Sequence, residues 1–302
     1  NLLLSTYYSR KISYKKQQLS VKETFKKGRV MLLLGLALAS TGIMDNGKIY
    51  LLRLVIAHLG NLADVGLYTA GVAVANQYIG MVLMSIAADY SPRLAAVSDD
   101  NATFIDTINK QMKLLVTLVT PLIIFFILFI KPITILLYST KFIPITGMLE
   151  WMMLGMTFRS VAWCITFGYA AKGDAKLLFY NELLSSTYST IFAILGYLFY
   201  GFEGMGIGFC LMYILYTIQH LYVGFRKYSY SVSKDVLKAI VPQIILTCIF
   251  FFLMRVFGYS MLRYSIGLIG FVVICIVSLN CLNQMLNIKH LLSKFIKRKN
   301  ND

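Results

Sequence analysis

Charge is scarce in this sequence. Charged residues make up 14% of the 302 positions, against roughly 25% in a soluble domain. Histidine is scarcer still, with His58, His220 and His290 the whole complement. No His/Cys/acid spacing of a metal site appears, so neither a metal nor an organic cofactor is expected. The five cysteines (Cys164, Cys210, Cys248, Cys275, Cys281) lie in apolar stretches and form no C-x-x-C pair. They read as buried, unreactive thiols. Acidic residues number 13 against 29 basic ones. Long polar segments are missing too. That excludes a soluble catalytic domain and any sizeable loop able to carry an acid–base site.

Apolar residues fill the space, at 58% with a mean hydropathy of +0.70. A globular core cannot hide that excess, so the chain is read as a membrane protein. A spanning helix needs about 20 mostly apolar residues. Eight candidates occur, at roughly 30–57, 64–91, 112–130, 144–171, 176–200, 204–225, 239–256 and 264–286. The expected fold is therefore an all-α integral membrane protein of about eight transmembrane helices. The stretch 93–111 carries Phe104, Ile105, Ile108 and, just beyond it, Met112 on one side. It reads as a short amphipathic helix lying on the membrane surface.

The net charge of +16 could point to nucleic acid, but the cations sit in short loops between spans, and no nucleic-acid partner is expected. If the stretch before residue 30 is cytoplasmic, the loops on that side hold 22 of the 29 Lys and Arg. The opposite side holds four, Lys131, Lys141, Arg255 and Arg263. The positive-inside rule then puts both ends in the cytoplasm and requires an even number of spans.

Residues 42–49, GIMDNGKI, come close to a phosphate-binding loop. That loop needs a strand before it, a helix after it and a Ser or Thr following the Lys. Here both flanks are spanning-helix sequence and the next residue is Ile49. A nucleotide site is rejected. Charges at mid-span each cost about 2.5–3.5 kcal/mol on insertion scales, so Asp45, Lys48 and Arg53 need another reason. At 100° per residue they share one broad helix face with Gly42 and Asn46. Leu33, Leu36, Ile43, Leu51 and Leu54 lie opposite. The plainest account is a self-neutralising Asp45–Lys48 pair at i, i+3. That account leaves Arg53 and Arg159 unexplained. Intramembrane charges that face a bundle interior mark a substrate or ion path. Lys48, Arg53 and Arg159, set against Asp45 and Glu150, predict a cavity of cationic bias suited to an anion such as pyrophosphate. Asp45 and Glu150 are candidates for ion coupling or ion-pair support. Asp89 and Arg93, at i, i+4 around Pro92, read as a gate or helix-end pair. Gln77, Tyr78, a patch at Asn181, Glu182, Ser185 and Ser186, and the Gln219–His220 pair are weaker polar signals.

Three stretches carry a resemblance: DNGKIYLLRLVIAHLGNLADVGLYTAGVAVANQYIG (45–80), ADYSPRLA (88–95) and FGYAAKGDAKLLFYNELLSSTYSTIFAILGYLFYGFEGMGIGFCLMYIL (167–215). Together they resemble the polysaccharide-repeat-unit flippases, the Wzx or O-antigen translocase type. That type belongs to the superfamily of multidrug, oligosaccharidyl-lipid and polysaccharide exporters. The resemblance implies two six-helix lobes with two extra helices. On that template residues 1–29 are the end of a preceding helix and a basic cytoplasmic linker. Residues 30–225 are the six-helix C-terminal lobe. Residues 226–302 are two additional helices and a basic tail. The chain is then expected to be the C-terminal portion of a longer protein.

The implied function is transfer of undecaprenyl-pyrophosphate-linked oligosaccharide from the cytoplasmic to the periplasmic leaflet of a bacterial inner membrane, for O-antigen or capsule synthesis. The implied mechanism is alternating access. Implied partners are the lipid-linked oligosaccharide, the bilayer, and the polysaccharide polymerase with its chain-length machinery. The rival readings are an ion-coupled multidrug antiporter of the same superfamily, a membrane-embedded glycosyl- or acyltransferase, and a scaffold or polymerase subunit.

Overall fold

The computed structural model describes residues 21–286. The beginning of the linker (1–20) and most of the basic tail (287–302) lie outside the described residues. Seven α-helices follow one another: α1 (Val21–Leu59), α2 (Leu62–Ala96), α3 (Asn101–Leu137), α4 (Thr146–Ala171), α5 (Ala175–Tyr228), α6 (Lys234–Phe257) and α7 (Met261–Leu286). A 3-10 turn, Thr140–Ile145, leads into α4. No strand occurs among the described residues. The 42–49 stretch lies wholly inside α1, so its backbone N–H groups are spent on the helix and cannot cradle phosphate.

Short polar side chains start the helices, as their loop positions demand. Asn61 Oδ1 accepts from the Asp64 N–H at 3.0 Å and Asp64 Oδ2 accepts from the Asn61 N–H at 3.3 Å. This closes a reciprocal box on α2. Asp100, Asp174 and Ser233 cap α3, α5 and α6 in the same sense. Each cap satisfies backbone donors that lipid could not.

α5 is two spans in one run. Tyr200 and Gly201 leave helical geometry, Gly201 with φ 57° and ψ −138°. That conformation is open to glycine almost alone. The chain reverses there, and the arms run antiparallel. Asn181 on one arm accepts from Gln219 on the other at 2.8 Å, and Asp174 accepts from the Tyr228 hydroxyl at 3.2 Å. A Cβ on Gly196 or Gly204 would strike the backbone of the facing arm. The small residues of LGYLFYGFEGMG therefore let the arms touch. With this hairpin, each of the eight stretches read from hydropathy falls on a helical segment among the described residues.

Five helices (α2, α3, α5, α6 and α7) are long and apolar enough to cross a membrane by length and composition. α1 and α4 are not among them, for different reasons. α1 carries the polar stripe. α4 packs against α2, α3, α5 and α6, and Met148, Leu149, Met153, Met156 and Cys164 are essentially inaccessible. A helix surrounded by protein needs less hydrophobicity than one facing lipid. The architecture is an all-α integral membrane fold, with α6 and α7 laid against α3.

One expectation is corrected. The 93–111 stretch is not a separate surface helix. α2 continues through Pro92 to Ala96, and α3 runs unbroken in hydrogen bonding from Asn101, bending at Phe129. Phe104, Ile108 and Met112 are buried, with Phe104 against the Tyr228 ring and beside Gly168. Their amphipathic spacing faces protein rather than headgroups.

The loops gather at two ends. At one end Asn101 Nδ2 donates to the Tyr228 carbonyl at 2.9 Å, Asn109 Nδ2 donates to the Ser231 carbonyl at 3.0 Å, and Lys172 donates to the Ser98 carbonyl. At the other end lie the turns at 138–146, 200–201 and 258–260. Eight alternating segments return the chain to the end at which α1 begins.

Candidate substrate-path cavity

Two adjoining chambers of about 420 and 340 Å³ open between α1, α4 and the α5 hairpin, with α2 closing one side. Asp45, Lys48, Arg159, Ser189, Met212 and Tyr213 line both. The polar face of α1 explains why. Lys48 Nζ lies 3.0 Å from Asp45 Oδ1, and both point into the space. Leu36, Ile43 and Leu54 stand exposed on the opposite side, available to lipid.

Arg159 comes from the heart of α4. Its Nη1 donates to Asn76 Oδ1 on α2 at 2.8 Å, and its guanidinium lies 5.5 Å from the Tyr213 ring centre. Both contacts are neutral. Among the described residues no carboxylate pairs with Arg159 within ion-pair distance, whereas Lys48 is paired. Arg159 is thus the cation whose charge is least compensated locally, which suits it to an incoming anion.

The structure changes the other assignments. Arg53 lines neither chamber. It lies about 80° around α1 from Asp45 and eight residues along, about 12 Å up the axis, where its charge acts on Tyr68 and its neighbour Leu52, not Arg53, lines the smaller chamber. Glu150 is not near Asp45 at all. It is buried at the far end of α4, where it accepts from Arg263 Nη2 at 2.6 Å, from the Tyr259 hydroxyl at 2.9 Å and from Arg255 Nη1 at 3.4 Å. Arg255 and Arg263, read from sequence as loop cations, are therefore structural. Arg263 is 1% exposed. Asp89 and Arg93 do pair, at 2.8 Å on the exposed end of α2, and Arg93 also donates to Gln111 Oε1 at 3.0 Å. That contact ties α2 to α3 and lies away from the cavity.

Sequence reasoning ranked Glu182 only among the weaker polar signals. It projects from α5 into the larger chamber, where it feels Asp45, Lys48 and Arg159 electrostatically. Its backbone carbonyl accepts from Ser185 Oγ at 3.0 Å, and no hydrogen bond or ion pair to its carboxylate occurs among the described residues. Among the described residues that line the larger chamber, two acids, Asp45 and Glu182, thus face two cations, Lys48 and Arg159. Charge is separated across the cavity. The signal was present as the Asn181–Ser186 polar patch, but a helix-by-helix reading could not say which span it faces. Asn76, rather than the neighbouring Gln77, supplies the polar contact on α2.

Residues 3–147 match the family described as polysaccharide biosynthesis protein, just under half of the chain. The matched stretch includes Asp45, Lys48 and Arg53 and stops short of Glu150, Arg159 and Glu182. No curated protein sequence matches the chain. A solved structure titled lipid II flippase MurJ, inward closed conformation, superposes with a TM-score of 0.59 at 15% identity, over 94% of this chain and 60% of that one. The chain shares the fold of that solved structure. The chain spans about 60% of the length of that flippase.

Proposed function

We propose that this exporter-fold chain forms part of a flippase for undecaprenyl-pyrophosphate-linked oligosaccharide repeat units, serving O-antigen or capsule synthesis in a bacterial inner membrane. The observation that carries the reading is Arg159, a guanidinium midway along α4 that lines both chambers and whose direct contacts are neutral. A pyrophosphate can leave the headgroup region only if its charge is met on the way. Arg159 meets it first, by a bidentate contact. Lys48 joins when it exchanges Asp45 for the ligand. Arg53, nearer the outer end, receives the headgroup later along the path. Asp45, released from Lys48, and Glu182 are then free to take a proton or cation, which would link ion movement to substrate movement.

The distribution of 22 against four basic residues supports an orientation with both chain ends cytoplasmic. Transport then runs from the end carrying the 97–100, 172–174 and 229–233 loops to the opposite end. Rocking of the helices around the cavity supplies alternating access. A polysaccharide polymerase and its chain-length partners would receive the product.

One observation favours a second reading. Asp45 and Glu182 beside Trp163, Phe167 and Tyr216 also make a chamber for an aromatic cation, as in a multidrug antiporter. The complete gene, expressed in a bacterium lacking its own repeat-unit flippase, separates the two. Restored surface polysaccharide that is lost in Arg159→Ala at normal membrane abundance supports the flippase. Drug resistance lost in Glu182→Gln, with no polysaccharide restored, supports the antiporter.

A further inference from the structure

The end of the fold opposite the 97–100 loop holds a second charge cluster that the transport path does not use. Four helices meet there. Glu150 comes from α4, Glu203 from the second arm of α5, Arg255 from α6 and Arg263 from α7. The four side chains border a cavity of about 330 Å³ with Tyr259 and the first turn of α4. Lys131 lies 4.9 Å from the Tyr259 ring centre.

The cluster has a fixed half and a mobile half. Glu150 and Arg263 are buried, and Arg263 also donates to the Met254 carbonyl at 3.2 Å and the Ile127 carbonyl at 2.6 Å. The first is an orphan at the end of α6. The second lies just before the bend of α3 at Phe129. Arg263 therefore closes three helices at once. Glu203 is different. Its side chain is 43% exposed, it pairs with Arg255, and it accepts weakly from Trp151 Nε1 at 3.4 Å. Its carboxylate lies against the first turn of α4, where a Cβ on Gly147 would stand 3.3 Å away. That helix has no side-chain cap of its own, so Glu203 supplies the negative charge its N-terminus favours. Glu203 stands two residues beyond Gly201, the turn about which the α5 hairpin reverses. Space around Gly201 is open.

We propose that Glu203 and Arg255 form a releasable latch that holds the α5 hairpin turn onto α4 and α6, and that opens as the outer end of the cavity opens. Arg255 is shared between Glu203 and the buried Glu150. When the hairpin leaves, its charge stays compensated by Glu150 and opening strands no cation. The α5 hairpin also carries Glu182, Ser189 and Tyr213 of the cavity wall, so movement at its turn is transmitted along a rigid helix pair to the substrate path. The inference rests on the transport reading, and its test separates the two.

The full-length protein, purified in lipid nanodiscs, would be followed by hydrogen exchange at residues 196–206. Glu203→Gln and Arg255→Gln should each speed exchange there by about fivefold, the scale of one partly exposed ion pair. The double variant should be no faster than either single one. Both singles leave the Glu150–Arg263 pair intact, and unchanged exchange in α4 verifies the fold. In cells each single variant should reduce polysaccharide export at normal abundance. Unchanged exchange in both singles, additive exchange in the double variant, or faster exchange with export at the wild-type rate would each overturn the latch. Faster, non-additive exchange in a protein whose wild type restores no polysaccharide keeps the local contact and removes the transport reading alone.

Discussion

Replacing Arg263 by Met is the most demanding test of the physical account. Arg263 is 1% exposed and Glu150 is 3% exposed. The substitution keeps the aliphatic bulk and removes the guanidinium. Glu150 then retains the Tyr259 hydroxyl at 2.9 Å and Arg255 at 3.4 Å, the latter already engaged by Glu203. Two backbone carbonyls, of Ile127 and Met254, lose a donor in a place water reaches poorly. Breaking a buried pair by deleting one partner costs about 3–5 kcal/mol, and the lost carbonyl contacts belong within that range. Arg263→Lys should cost less than Arg263→Met and more than nothing. A single ammonium cannot reproduce a planar fork that spans a carboxylate and two carbonyls. Glu150→Gln combined with Arg263→Met should be clearly less harmful than the sum of the singles, because no charge is left stranded. Reversible unfolding of the full-length protein in mixed detergent micelles measures each value. A loss below about 1 kcal/mol for Arg263→Met, or additivity in the double variant, would refute the claim that this is a buried, mutually dependent pair.

Other outcomes follow from the same geometry. Arg159→Ala should abolish or strongly reduce polysaccharide export in the flippase-deficient host at unchanged abundance. Arg53→Ala, which removes a later contact on the path outside the chambers, should reduce export less than Arg159→Ala does. Gly201→Ala should destabilise by about 1–3 kcal/mol through backbone strain alone, read by the same unfolding assay, since no neighbour crowds the added methyl. Asp100 accepts hydrogen bonds from the Thr103 hydroxyl first and from the Ala102 and Thr103 N–H groups, which hold its carboxyl below the ordinary 3.8. A group depressed in the folded state contributes stability above its unfolded pKa and loses it as pH falls through the folded one. Asp100→Asn should therefore flatten the unfolding profile below pH 4, with little change at neutral pH; an unchanged acid slope would count against the cap.

Much of the fold was legible because a bilayer imposes a length on every helix. The spans 176–200 and 204–225 were separable on hydropathy although Tyr200–Gly201 is nearly the whole connection. The polar face of α1 was equally legible, since the 100° step places Asp45 and Lys48 together whatever surrounds them. Arg53 lies about 80° from Asp45 on that same step, however, and at its height Leu52 lines the smaller chamber while Arg53 does not. Glu150 and Glu182 exchanged roles for another. Both are isolated acids in apolar runs, and only the packing of α6 and α7 on α3 and α4 brings two arginines to Glu150 and leaves Glu182 facing the chamber.

By itself, then, the sequence determined the solvent in which this protein folds, where helices run among the described residues, and the polar stripe of α1. These follow from local chemistry, namely hydropathy and helical period. Only the tertiary structure decided which charges neutralise one another. Ion pairing depends on distances of a few ångströms between helices that are distant in the chain. Arg159 with Asn76 and Arg263 with Glu150 are separated by 83 and 113 positions, and no periodicity along a single helix records where its neighbour will stand.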